Sequence, residues 1–348
     1  FIFFAAACSN PGSAPTVDKN WIAFVQEIDG NREIFKIKVD GSGLTNLTND
    51  PSNDNYPEWS PDGSEIAFIT NRSGNNDLFV MKGDGAQPKN LSNTPDTESN
   101  LDWSPDGNLI VFECYEKAKE GDLCSVKSDG SGYKKIAASP ADEGSPRWSP
   151  DGNFVAYTIT EDGATNVYVM DKNGDNSRKI TDTSGTKSNL EWSPEGTKIA
   201  YYSEINAIGK IYVTKTDGSE TVCITPEMPG IWGPAFPQGF SNHRWSPDGT
   251  KLVYTYWIIR EMTLGSSGSS VDMSSIIFVS NSDGTNPVRL SIDDNMVIDT
   301  NPLWSPDGKK IVFISRKDNI TNLYLMNADG TEMAPLTNSE GLKSRLSW

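Results

Sequence analysis

Trp59-Ser60-Pro61-Asp62-Gly63 decides the reading of this chain, because it comes back. Trp103-Ser104-Pro105-Asp106-Gly107 and Trp148-Ser149-Pro150-Asp151-Gly152 repeat it, and the same five residues begin again at Trp245 and Trp304. One further copy, Trp192-Ser193-Pro194-Glu195-Gly196, carries Glu in place of Asp, and a seventh Trp, Trp348, closes the sequence. Successive Trp stand 44, 45, 44, 53, 59 and 44 residues apart. Ser-Pro-Asp-Gly is a tight turn. Pro sets φ at its first central position, Asp suits the second, and Gly accepts the exit conformation. The Trp before it supplies a large apolar plate for burial between neighbouring sheets. A period in the forties, built from short strands and turns, is that of a β-propeller.

Working outward from the turn, strand a ends at each Trp and strand b follows as a short apolar run, such as Ile66-Ala67-Phe68-Ile69 or Val155-Ala156-Tyr157. Strand c comes next, as Leu78-Phe79-Val80-Met81 or Leu323-Tyr324-Leu325-Met326, and an Asp-Gly or Asn-Gly turn closes it. Strand d ends in a Leu/Ile-Thr/Ser pair, as at Leu91-Ser92 and Leu336-Thr337. β-branched and aromatic runs bounded by Gly, Pro, Asn and Asp read as strands, and no capped helical segment interrupts them. Residues 21–48 form a b-c-d set without strand a, while Ser344 to Trp348 form a strand a without b. The two remainders complete one blade. The expectation is an all-β fold, a seven-bladed β-propeller of four-stranded blades closed by a 3+1 clasp of the termini and spanning 21–348 as one domain.

These repeats resemble the WD-repeat-like propeller repeats of the TolB family. The resemblance implies a propeller that binds an envelope protein or peptide. The chain departs from the pattern in two ways: only about twenty residues precede its first strand, and the blade count is seven where six is usual. Similar propellers form the gating domain of prolyl oligopeptidases and the body of oligogalacturonate lyases.

Phe1-Ile2-Phe3-Phe4-Ala5-Ala6-Ala7-Cys8 is an apolar run ending in small residues and Cys. It resembles the tail of a bacterial lipoprotein signal, with Cys8 as the lipidated residue and 9–20 as a flexible linker. The expected location is periplasmic or cell-surface, lipid-anchored, with no other run long enough to span a bilayer. Cys114 and Cys124 fall on neighbouring strands of one blade, where an oxidising compartment would permit a disulfide and a reducing one two core thiols. Cys223 reads as a small core residue.

The 47 acidic against 30 basic residues give a formal net charge of −17. Nucleic-acid binding requires a basic footprint, which this chain lacks. A single histidine, His243, leaves no Ser-His-Asp constellation and no multi-histidine metal site to assemble, and no Gly-x-Ser-x-Gly elbow occurs. A non-enzymatic, monomeric binding platform without a resident cofactor is therefore expected.

Two surfaces are candidates. Pro226 to Ser241 and Tyr256 to Ser275 read as long d–a and b–c loops flanking the sixth blade, holding Trp232, Phe236, Phe240, Trp257 and Arg260 beside the strand residues His243 and Arg244. Long aromatic loops on a rigid scaffold commonly bind. In the rival reading, a glycan-binding or glycan-cleaving propeller, Trp232, Phe236, Trp257 and His243 converge on a sugar. The second surface is a ring five residues before each Trp, containing Asp54, Glu98, Glu143 and Asp299. At a channel mouth, such acids would take Ca²⁺ or a basic peptide.

Overall fold

A computed structural model describes residues 19–116, 120–206, 208–226, 239–265, 268–292, 294 and 297–348, with the side chains of 260–265 and 268–272 outside the description. Among the described residues there are twenty-eight strands and no helix. The strands group into antiparallel sets of four, the sheets of a propeller. Five sets stand as separate sheets, and two are joined by a single bridge between Ser275 and Ile298.

The turn chemistry works as the sequence implies. Ser60 Oγ donates to Asp62 Oδ1 at 2.7 Å and accepts the Glu65 amide at 3.0 Å, so one hydroxyl ties the turn to the start of strand b. Gly63 has φ of 65°, in the left-handed region that a side chain disfavours. The same pair of bonds recurs at Ser104, Ser149, Ser246 and Ser305. At the exception, Ser193 still accepts the Lys198 amide, but Glu195 accepts instead from Thr197. The Leu-Thr/Ser pair closing strand d also has a cause. Its hydroxyl accepts a strand c amide: Thr48 from Ile34, Ser92 from Leu78, Thr181 from Val167, Ser291 from Ile277 and Thr337 from Leu323. These bonds pair donors that the very short d strands would leave orphaned.

Strands b and c make the core. Ile22-Ala23-Phe24, Ile66-Ala67-Phe68 and Ile311-Val312-Phe313 are fully buried. Their last residues face an aromatic directly across the pair: Phe24 on Phe35, Phe68 on Phe79 and Phe313 on Tyr324, with ring centroids 5.7–5.9 Å apart. Such cross-strand pairs are units of sheet stability. In the third set Cys124 stands in that place opposite Phe112, and it is joined by a disulfide to Cys114. Cys223, expected inside, is exposed on the outer strand Thr221–Cys223. That short edge strand leaves one face uncovered.

The strands ending at each Trp are Asp54–Trp59, Thr97–Trp103, Asp142–Trp148, Thr186–Trp192, Gly239–Trp245 and Ile298–Trp304. The chain's last strand, Leu342–Ser347, pairs with the first, Trp21–Ile28, setting Leu346 against Phe24 and Lys343 against Gln26. Each of these strands packs on the set before it; Leu342–Ser347 packs on Ile298–Trp304 and on Asp54–Trp59.

The sixth set departs from expectation. The stretch expected to be a long b–c loop is a continuous β-hairpin, Lys251–Gly265 paired with Gly268–Asn281 as far as Gly265 opposite Gly268. The two strands stay paired past the core, with one register shift between Ile259 and Glu261. Most of the expected d–a loop, including Trp232 and Phe236, lies outside the described residues, as do Cys8 and linker residues 9–18.

Candidate functional site

The strand that ends at each Trp carries three kinds of position, and the structure separates them sharply. Five residues before the Trp, Asp54, Glu98, Glu143, Lys187, Phe240, Asp299 and Lys343 are all buried. They do not form an open acidic mouth. Asp54 pairs with Arg72 at 3.0 Å. Glu98 accepts from Ser92 at 3.1 Å and Thr94 at 2.8 Å, and Glu143 accepts from the hydroxyl of Ser139. Lys187 donates to the carbonyls of Thr165 and Thr183, and Lys343 to those of Ser339 and Gly341. Glu98, Glu143, Lys187 and Lys343 thereby hold the d–a connection that leads into their strand, whereas Asp54 holds Arg72 of the b–c connection. Burial raises the Glu98 carboxyl to about 8, against the pull of its hydroxyl partners, and lowers Lys343 to about 8. Burial likewise raises Asp54, Glu143 and Asp299. The reason is geometric: the position points between sheets.

Two residues before the Trp the side chain is also enclosed. His243 is 0% exposed, and neither ring nitrogen has a hydrogen-bond partner. Burial and the nearby Arg244 charge lower it to about 3; the backbone groups of Ala200 and Asn189 exert a weaker opposite pull without reaching bonding geometry. His243 is thus enclosed in the core and does not face the surface. Phe240 is buried against Tyr254 and Tyr256. Trp257 is half-buried on the hairpin strand, its indole N–H bonded to Ser241 Oγ at 2.8 Å. The Arg260 side chain lies outside the description. The expected aromatic cluster thus retains one described, partly exposed member.

Most residues three positions and all residues one position before the Trp line one shared cavity. Three residues before each Trp, Tyr56, Asn100, Ser145, Asn189, Asn242, Asn301 and Arg345 all have φ between 44° and 53°. Each coincides with a shift of register against strand b, a β-bulge in the left-handed conformation that Asn tolerates best. The bulge turns the next residues inward. Arg345 lies over the Tyr56 ring at 4.3 Å and donates to its hydroxyl at 3.1 Å.

One residue before the Trp stand Glu58, Asp102, Arg147, Glu191, Arg244, Leu303 and Ser347, and all of them line one cavity of about 380 Å³ with Asn189, Asn242 and Asn301. These side chains are partly buried and keep some solvent access. Burial, then the Asp102 charge, pushes the Glu58 carboxyl well above the usual carboxylate range, and the two side chains share a hydrogen bond that Glu58 donates. Burial raises Asp102 too, with Arg147 and the Trp148 amide opposing. Asp102 Oδ2 accepts the Trp148 amide at 2.6 Å and Glu191 Oε2 the Trp245 amide at 3.1 Å. Glu191 is pushed to about 7 by burial, less the attraction of Arg244. Of this lining only Arg244 was singled out from sequence. The signal was present as a period: the residue before each Trp is charged in five of the seven repeats, counting Glu58, Asp102, Arg147, Glu191 and Arg244. Among the described residues no group of three His, Cys, Asp or Glu is placed to hold a metal.

No curated protein sequence matches the chain. Its fold is similar to TolB from Acinetobacter baumannii, with 18% identity and a TM-score of 0.54 over 94% of this chain and 82% of that one. It is similar to an oligogalacturonate lyase from Vibrio parahaemolyticus at 17% identity and a TM-score of 0.66, covering 89% and 87%. A puromycin-hydrolyzing peptidase of Mycobacterium tuberculosis gives 14% identity and a TM-score of 0.67, covering 92% of this chain but 54% of that one. At these identities the likeness is of fold alone. The family model described as the TolB beta propeller domain matches residues 4–144 and 125–264. The chain belongs to the TolB β-propeller domain family.

Proposed function

We propose that the seven sets close into one seven-bladed ring, clasped by Leu342–Ser347, and that this ring is a non-catalytic platform for another protein of the cell envelope. The observation that carries the reading is the distribution of exposed apolar side chains. Of the eleven large hydrophobics exposed among the described residues, Ile28, Ile205, Ile208, Met273, Ile292, Ile320 and Leu342 all belong to b–c hairpins or d–a connections. Strand alternation places both kinds of connection at one end of the sheets. Apolar side chains concentrated on one face mark an interaction surface, and the long hairpin 251–281 rises from the same face.

The opposite end carries the Trp turns and Lys19, whose carbonyl accepts the Trp348 indole N–H at 2.8 Å. A lipid on Cys8 would therefore hold the Trp-turn end toward the membrane and present the apolar face to the periplasm or cell exterior. Burial of the neutral His243 supports a non-catalytic role.

A photo-crosslinking residue at Ile208 or Ile320 should join the protein to one envelope partner in cells, and the same residue at Phe154, exposed at the other end, should not. Crosslinks from Phe154 with none from Ile208 or Ile320 would sink this reading. The closure has its own test. Deleting 344–348 should abolish cooperative melting, and a truncated chain that melts as sharply as the parent would refute the ring.

A further inference from the structure

The channel cavity combines groups that the fold uses up and groups that it leaves over. Its three acids are engaged: Glu58 with Asp102, Asp102 with the Trp148 amide, and Glu191 with the Trp245 amide. Of its three guanidiniums Arg345 is engaged by Tyr56, and the other two have no acid partner among the described residues. Arg147 donates one N–H to the Pro146 carbonyl at 2.7 Å, and Arg244 one to the His243 carbonyl at 2.9 Å. Neither has a carboxylate within ion-pair distance among the described residues, although both act electrostatically on Glu58, Asp102 and Glu191. They therefore point into one interior. Arginine presents five N–H donors, so most of those on Arg147 and Arg244 remain for a ligand. A guanidinium fork matches a carboxylate, and such charge-assisted, two-pronged pairs are among the stronger hydrogen bonds.

We propose that this cavity binds a small carboxylate, held by Arg147 and Arg244 and flanked by the Asn189, Asn242 and Asn301 carboxamides. The volume of about 380 Å³ lies within the range of small-molecule sites. A cation is the weaker candidate, because each acid oxygen that the fold commits to an amide or to a second carboxyl is withdrawn from it. The inference is independent of the outer apolar face and stands or falls apart from the platform reading.

The test uses the full chain labelled with ¹⁵N-arginine, with the Nε–H signals of Arg147 and Arg244 followed by NMR. Succinate, triglycine and triglycine amide are titrated at constant ionic strength. Both signals should shift saturably with succinate or triglycine and not with the amide. Response to succinate alone identifies a free small acid, and response to triglycine alone a chain terminus; either supports the site. Arg147→Gln and Arg244→Gln should each weaken binding at least about tenfold, as expected for losing one charge-assisted contact. Glu191→Gln, which keeps an acceptor for the Trp245 amide but removes the competing charge, should tighten it. No saturation with either acid, or equal response to the amide, overturns the proposal. If one arginine variant fails to fold, the other and Glu191→Gln still decide.

Discussion

The indole N–H of Trp192 donates to the carbonyl of Arg147 at 3.0 Å, one residue before the corresponding Trp of the preceding set. Trp103 reaches Glu58, Trp245 reaches Glu191 and Trp304 reaches Arg244 in the same way, at 3.2–3.3 Å. The Trp is therefore both an apolar plate and a tie between neighbouring sheets. Trp59 and Trp148 lack the bond.

This difference makes a paired prediction. Trp192→Phe loses ring area and a hydrogen bond, whereas Trp148→Phe loses ring area alone. Chemical denaturation should find Trp192→Phe more destabilised by about 0.5–1.5 kcal/mol, the net value of one such bond. Equal losses would show that the indole N–H contributes nothing. Trp148→Ala, which empties the space between sheets, should cost about 3–5 kcal/mol.

Glu195 tests the turn. Its longer side chain takes no hydrogen bond from Ser193 Oγ, while Asp at five equivalent positions accepts from the serine at 2.6–2.7 Å. Glu195→Asp should raise stability by roughly 0.5–1 kcal/mol. A lower melting temperature would mean that Glu195 has a packing role that the hydrogen bonds do not reveal.

Glu98 makes stability depend on pH. Its folded pKa, about 8, lies above the ordinary 4.5, so between these values the folded chain binds the extra proton. Stability from this group is full below 4.5 and is lost as pH rises through 8. Glu191, raised to about 7, acts in the same direction. His243, lowered to about 3, has the opposite effect below pH 6.5, and Lys343, lowered to about 8, opposes it above 8. The clean window is pH 6.5 to 8. There the protein should lose stability, and Glu98→Gln should remove roughly 1–2 kcal/mol of that loss. An unchanged pH profile in the variant would assign the dependence elsewhere.

Thiol accessibility checks the cysteines. Cys223 should react with iodoacetamide in the native protein, being exposed, while Cys114 and Cys124 are buried and bonded. Mass spectrometry should find one alkylated site natively and three only after reduction and unfolding, Cys8 counted separately. Replacing both bonded cysteines by Ala should cost about 2–4 kcal/mol. Alkylation of Cys114 in unreduced, folded protein would contradict the bond.

The repeat itself was legible without coordinates, because each turn is a local device. Pro61, Asp62 and Gly63 specify their backbone among themselves, and Ile66-Ala67-Phe68 needs only its alternation and branching to read as a strand. The pairing of residues 21–48 with Leu342–Ser347 could also be read, since a strand missing at one end and left over at the other is a matter of counting. The side chains at the two candidate sites obeyed different physics. Asp54, Glu98 and Glu143 looked like a rim, yet a left-handed bulge two residues later reverses the alternation and turns them between the sheets. The same bulge brings Arg147 and Arg244 to the axis, and a sequence period cannot show which way a bulged strand points. Local turn energies thus set the blades from nearby residues alone. Which charges meet in the cavity was decided only when distant strands packed together, because burial and shared protons exist only between residues that the fold has made neighbours.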